Sequence, residues 1–369
     1  MLITGYYFLF MKTSDFDYKL PMERIAQKPA EPRDRSKLMI VKRKKTLFDY
    51  GRVKHKKFFD IAEYLQAGDL LVWNNSKVFK ARLFGELLSK EGQQLFEHKK
   101  KILEIFLVRP MQNPGVWQVL AKPGKHVSHG AKIRFAPGFV CEILLKEPNG
   151  TILAQFEDSV EVVREKANRF GKVPIPPYIK DEVHELEMYQ TIYAKHEGSV
   201  AAPTAGFHFT AELINKLKNK GVEFAEVTLH VGLGTFLPVK SERVEDHAMH
   251  SETVELTQEN ADKINKAKKF NRRVIVVGTT TARTLEGIAE LEKRNELRAY
   301  SGEINIFIKP GFEFKIVDAM ITNLHLPKST LLMLVCAFAG NRKFMLRCYK
   351  KAVKKKYRFY SFGDAMFIN

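Results

Sequence analysis

The chain has 369 residues, 45% hydrophobic and 28% charged, enough to bury a sizeable core and to divide into about two domains. Lysine and arginine total 61 against 42 aspartate and glutamate, and the net charge of +19 points to an anionic partner, nucleic acid first. Cys141, Cys336 and Cys348 form no CxxC pair, which excludes a cysteine-built zinc, iron–sulfur or redox centre and suits free thiols in a reducing cytoplasm.

Residues 1–10 are apolar but too short to span a bilayer, and no basic residue precedes them as in a signal peptide, so a cytoplasmic protein without membrane contact is expected. Met11 is followed by the polar run Lys12-Thr13-Ser14-Asp15, and residues 1–10 read as an upstream extension. From Gly68 to Glu157 the text is one of short β-rich runs: Leu70–Trp73, Val78–Phe84, Ile102–Val108, Val116–Ala121, Lys132–Phe135 and Val140–Leu145. Turn pairs such as Pro123-Gly124, Pro137-Gly138 and Asn149-Gly150 separate them. Strands at this spacing predict an antiparallel barrel or sandwich. After Val160 helices and strands alternate: an amphipathic stretch Ala211–Lys220, a strand Glu223–His230, a helix Thr257–Phe270 and a strand Arg273–Val277, with Thr210 and Thr257 as N-caps and Gly221 after the first helix. The expected architecture is an α/β main domain of residues 11–67 and 158–369, interrupted at 68–157 by an antiparallel β-barrel-like domain. A monomer is the working expectation.

Cationic segments occur at Lys42–Lys45, Lys54–Lys57 and Lys99–Lys101, and between Arg342 and Arg358 there are nine Lys or Arg and no acid. Solvated helix faces or RNA contacts would both produce such runs. Chemistry is carried instead by six strings: Pro203–Thr210, Thr228–Phe236, His247–Glu252, Gly278–Thr284, Thr322–Thr330 and Tyr357–Asp364. They hold five of the eleven histidines, and Gly278–Thr284 follows a strand directly, where backbone comes close to ligands in α/β sheets. His247 and His250, with His208, His230 or Glu252, could ligate zinc or iron, but no second ligand pair of fixed spacing accompanies them and no metal is expected. Gly232-Leu233-Gly234 lacks the third glycine of a dinucleotide fingerprint, and neither a phosphate-binding GxxxxGK loop nor a GxSxG elbow is present.

Together with Phe16–Pro21, Ile25–Arg33, Pro174–Ile179, Tyr189–Ala194 and Ala201–Gly206, these strings resemble the S-adenosylmethionine:tRNA ribosyltransferase-isomerase family of queuosine biosynthesis from about Phe16 to Met366. The resemblance implies transfer and isomerisation of the ribosyl part of S-adenosylmethionine onto 7-aminomethyl-7-deazaguanine in tRNA, giving epoxyqueuosine, adenine and methionine. S-adenosylmethionine would be a consumed cosubstrate, and no cofactor is expected. A base must remove a C5′ proton beside the sulfonium and an acid must protonate departing adenine. His208, His230 and His325 are the first candidates, then His247, His250 and Glu252. Thr204, Gly206, Gly232, Gly234, Thr279, Thr280, Arg283, Asn323 and Asp364 are the expected substrate contacts, Arg283 on the methionine carboxylate and Asp364 on the ribose hydroxyls or sulfonium. Arg33, Lys350, Lys354 and Arg358 would meet tRNA phosphates. One departure stands out: Asn74-Asn75-Ser76-Lys77 replaces the family's commoner Asn-Asp-Thr-Arg, so Asn75 lacks that negative charge. A noncatalytic RNA-binding protein and a metal-dependent nucleic-acid hydrolase are the rival readings.

Overall fold

Leu70–Asn74, Val274–Val277 and Ala319–Asn323 are buried along their whole length, as expected of strands covered on both faces. In the computed structural model, which describes residues 10–43, 52–88, 101–148, 150–180, 185–232, 239, 241–249, 251–293 and 296–369, they lie side by side with Glu223–Leu229 as the parallel centre of a nine-stranded sheet. The full order is Tyr300–Ile304, Glu252–Leu256, Glu223–Leu229, Leu70–Asn74, Val274–Val277, Ala319–Asn323, Ala365–Ile368, Lys37–Lys42, Arg52–Lys57. Glu252–Leu256 and Ala365–Ile368 run antiparallel to the central four, and Lys37–Lys42 runs parallel to Ala365–Ile368. The carboxyl ends of the central strands therefore share one edge with Glu252, Asp364 and Ser36, each at the start of a strand running the other way.

The helices Gln258–Lys269 and Thr279–Glu292 pack on the central strands. Thr257 caps the first through its hydroxyl, and Thr210 caps Ala211–Asn219 in the same way, as the sequence predicts. Ser329 and Asn341 cap Thr330–Phe338 and Arg342–Lys354. Among the described residues no helix is long and apolar enough to cross a membrane.

The second compact unit holds a closed barrel in the order Ile152–Phe156, Val116–Lys122, Ile102–Pro110, Arg82–Leu87, Lys132–Ala136, Phe139–Lys146. All six pairings are antiparallel, and alternation does the sorting: Leu103, Ile105 and Leu107 are buried while Glu104 and Phe106 between them are only partly so. Trp117, Phe139 and Phe156 fill the interior. The expected barrel boundary at 68 is corrected by Leu70–Asn74, which is hydrogen-bonded on both sides by parallel strands of the large sheet. An apolar run of this length reads the same in a barrel or a parallel sheet. This unit extends from Ser76 to Ala202 with a short segment from His230, and includes the helix Val160–Phe170 and the parallel pair Ser76–Val78 and His196–Ser199. The far boundary at 157 thus also falls short.

Candidate active site

Val277 ends its strand at Gly278, whose φ of +91° a side chain would make costly. Its N–H bonds Ile321 O at 2.8 Å, and from it the helix Thr279–Glu292 starts at the carboxyl edge of the sheet. The first turn is buried rather than solvated: Thr279, Thr281, Arg283 and Thr284 are all closed off. Arg283 meets Glu252 in an ion pair, with side chains 8% and 5% exposed. Among the described residues only Nη1 of the guanidinium is used. Nε and Nη2 are buried without partners, and so is Thr280 Oγ1. Asn323, at the end of a neighbouring strand, donates from Nδ2 to Tyr360 O at 2.9 Å and Ser361 O at 3.3 Å, while its buried Oδ1 has no partner.

His208 ends the short turn Thr204–His208 and stacks on Phe58 with ring centroids 4.9 Å apart. Its Nδ1 is 2.8 Å from Ser36 Oγ, and its buried Nε2 has no partner. Burial first, then the positive fields of Arg358 and Arg33, push the imidazole down to about 3. It is therefore a neutral ring at physiological pH, with one nitrogen anchored and one open. Buried polar atoms are normally paired, each orphan costing about 1–3 kcal/mol. Five such atoms on four residues gather at one sheet edge: His208 Nε2, Arg283 Nε and Nη2, Thr280 Oγ1 and Asn323 Oδ1.

Other predicted residues are differently employed. Asp364 spends Oδ1 on the Lys37 N–H at 2.9 Å and Oδ2 on the Arg358 N–H at 2.8 Å, tying the start of a strand to the Tyr357–Gly363 loop. His325 Nε2 lies 3.0 Å from Thr322 Oγ1 and its ring is pushed down to about 3 by burial, which makes it a packed, neutral side chain. His247 packs edge-on against Phe307 at 5.6 Å. Among the described residues no group of three or more His, Cys, Asp or Glu could hold a metal ion. Thr204 and Gly206 belong to the His208 turn, where Gly206 N–H bonds Pro203 O at 2.9 Å. His230 and Gly232 belong to the barrel-containing unit; there burial, Arg164 and His196 push His230 down to about 4, its buried Nδ1 is without a partner as His208 Nε2 is, and a Cβ on Gly198 would lie 2.8 Å from its ring. Gly234 and His250 lie outside the described residues. Arg33 covers the Phe207 ring at 5.2 Å, while Lys350 and Lys354 are exposed on the last helix.

Sequence reasoning missed Ser36 and Phe58, which sit among charged and apolar neighbours without any motif of their own. It flagged Asn75 without its reason. Asn75 Nδ2 donates to Glu226 Oε2 at 3.0 Å and its Oδ1 accepts from Thr228 Oγ1 at 2.7 Å. An aspartate here would face Glu226 with like charge, so the pair explains the amide.

The family model described as queuosine biosynthesis protein matches residues 13–368. The S-adenosylmethionine:tRNA ribosyltransferase-isomerase of Thermotoga petrophila is 50% identical over 359 residues, covering 97% of this chain and 100% of the relative. That of Carboxydothermus hydrogenoformans is 50% identical over 360 residues with the same coverage. The crystal structure of the S-adenosylmethionine tRNA ribosyltransferase from Thermotoga maritima aligns with a TM-score of 0.53 at 38% identity, covering 96% of this chain and all of that one. A match of this extent, over the sheet edge and the barrel alike, makes the chain a member of the queuosine biosynthesis protein family.

Proposed function

We propose that the sheet-edge site performs the ribosyl transfer and isomerisation for which the relatives are named, with 7-aminomethyl-7-deazaguanine in tRNA as acceptor, epoxyqueuosine as product, and adenine and methionine released. The observation that carries the assignment to this site is the set of unpartnered buried polar atoms on His208, Thr280, Arg283 and Asn323.

Arg283, steadied by Glu252 through Nη1, offers Nε and Nη2 as a two-pronged donor for the methionine carboxylate. Thr279 and Thr280 at the helix start and Asn323 Oδ1 hold the rest of the cosubstrate. His208 carries the proton. A neutral imidazole next to a sulfonium avoids like-charge repulsion and leaves Nε2 able to exchange a proton with the substrate, while Ser36 fixes the ring through Nδ1. The sulfonium acidifies C5′, which lowers the demand on the base. Asp364 and His325 keep the surrounding loops in place. S-adenosylmethionine is consumed, no cofactor enters, and because the residues named for chemistry lie in one compact unit a monomer suffices. A tRNA substrate supports a cytoplasmic location for the reaction.

The test is incubation of purified protein with S-adenosylmethionine and tRNA carrying the aminomethyl base, following adenine and nucleoside mass together. Adenine with the epoxyqueuosine mass supports the reading. Binding of tRNA without either product would leave the noncatalytic RNA-binding alternative.

A further inference from the structure

A cleft of about 380 Å³ opens between Lys37, His55, Lys57, Asp60, Lys355 and Tyr357. Lys37 and Lys57 face each other across the antiparallel pair at the outer end of the large sheet. Lys37 directs its ammonium to Lys355 O at 3.0 Å and Lys356 O at 2.9 Å, 5.3 Å from the Tyr357 ring centroid. Lys57 Nζ donates to Arg35 O at 3.2 Å. Carbonyl groups fix an ammonium in place without cancelling its charge. The acid of the lining, Asp60, accepts from the Lys57 N–H at 3.0 Å, and Glu63 pairs with Lys56 at 3.0 Å. Among the described residues Lys37, Lys57 and Lys355 form no ion pair.

Burial first, and then crowding of like charge, leaves a mark on the groups inside. Burial lowers the Lys37 ammonium from its ordinary value; Asp364 opposes this, and Lys57, Arg24 and Arg358 add to it. Burial, then Lys351, Lys355 and Lys37, lower His55. Tyr357 donates its O–H to Leu38 O at 3.3 Å, so it accepts from His55 Nδ1 at 2.9 Å. That leaves His55 Nε2 as the nitrogen to protonate when an anion arrives. The cationic surface is also longer than one small anion requires, because the helix Arg342–Lys354 presents exposed Lys350, Lys351 and Lys354. The cleft adjoins the candidate active site along the chain: Ser36, which touches His208, precedes Lys37, and the Lys37 N–H is held by Asp364.

We propose that this cleft docks a backbone phosphate of the tRNA, at Lys37, His55, Lys57 and Lys355, alongside the edge where the base reacts. The proposal rests on tRNA being the substrate. Counter-ion release from phosphate would supply affinity without reading sequence.

The test compares wild type with Lys57→Gln/Lys355→Gln, which keeps the Lys37 ammonium and its carbonyl bonds, by fluorescence anisotropy with tRNA from about 50 to 200 mM salt. A tRNA Kd weakened about tenfold, with a salt slope reduced by about 1–2 and restored by Lys57→Arg/Lys355→Arg, is expected. An unchanged Kd and slope in a variant that melts like wild type would overturn the proposal. Inorganic phosphate is titrated alone in parallel: saturable heat lost in the variant, with tRNA affinity intact, would overturn the RNA assignment in favour of a free phosphate. If wild type releases no adenine yet the variant loses salt-sensitive tRNA binding, the transferase reading fails and the docking site stands. If wild type turns over and the variant binds as wild type does, only the docking site fails.

Discussion

The barrel and the carboxyl edge of the large sheet use burial in opposite ways. In the barrel the interior is hydrocarbon and aromatic, and charged partners such as Arg82–Glu104 at 2.8 Å and Arg134–Glu86 at 3.2 Å sit on half-buried outer positions. At the sheet edge, polar and charged side chains are driven inside and several of their atoms are left without a partner. A fold tolerates orphaned polar atoms where function repays the cost. The barrel interior also holds one such atom, Trp117 Nε1, so it is the gathering of five at one sheet edge, and not their mere presence, that supports placing the chemistry there.

The largest break in this contrast is expected from His208→Ala, which should lower the rate of adenine release by about 10²–10⁴-fold with the fold intact. Arg283→Ala comes next. It strands Glu252 as a buried, unpaired carboxylate and should lower unfolding stability by about 3–5 kcal/mol in denaturant titrations. Replacing both partners by Met and Leu should recover much of that stability but no activity. Ser36→Ala frees the anchored nitrogen of His208 and should cost about 1–3 kcal/mol of activation free energy, seen in kcat more than in KM, with Ser36→Thr restoring part of it.

Stability should also report the neutral histidines. His208 and His325 are held down to about 3 and His230 to about 4, all below the value of about 6.5 that an unfolded chain shows. The unfolded state then binds protons first, so stability is complete above pH 6.5 and declines as pH falls through that value, ending near 4 for His230 and near 3 for the other two. Each histidine contributes a slope of about 1.4 kcal/mol per pH unit within its window. Urea melts of wild type and His208→Gln between pH 6 and 4 should differ in slope by that amount, and equal slopes would contradict a buried neutral His208. The smallest effect belongs to the barrel surface: Glu142→Gln, removing the exposed pair with Lys132 at 3.8 Å, should change stability by less than about 1 kcal/mol and leave adenine release untouched.

Local grammar made the barrel strands, the helix caps at Thr210 and Thr257 and the Gly278–Arg283 turn legible, because alternation, capping and a glycine after an apolar strand act over a few residues. Long-range pairing was not legible. Ser36 meets His208 across 172 positions and Asp364 meets Lys37 across 327, and nothing in either local string announces its partner. The same blindness put Leu70–Asn74 in the barrel, since the parallel neighbours that claim it come from residues 223–229 and 274–277. Histidine content marked the strings but not the surroundings of the rings: His208 keeps an open Nε2 and His230 an open Nδ1, whereas His325 Nε2 lies against Thr322 Oγ1.

The central question is whether the orphaned atoms at the sheet edge are the substrate's contacts. A crystal structure with S-adenosylmethionine bound would decide it most directly. The predicted result is the cosubstrate lying across the carboxyl ends of the central strands, its carboxylate on Arg283 and its polar groups within about 3 Å of Thr280 Oγ1, Asn323 Oδ1 and His208 Nε2. Cosubstrate bound elsewhere, with those atoms still unpartnered, would contradict it.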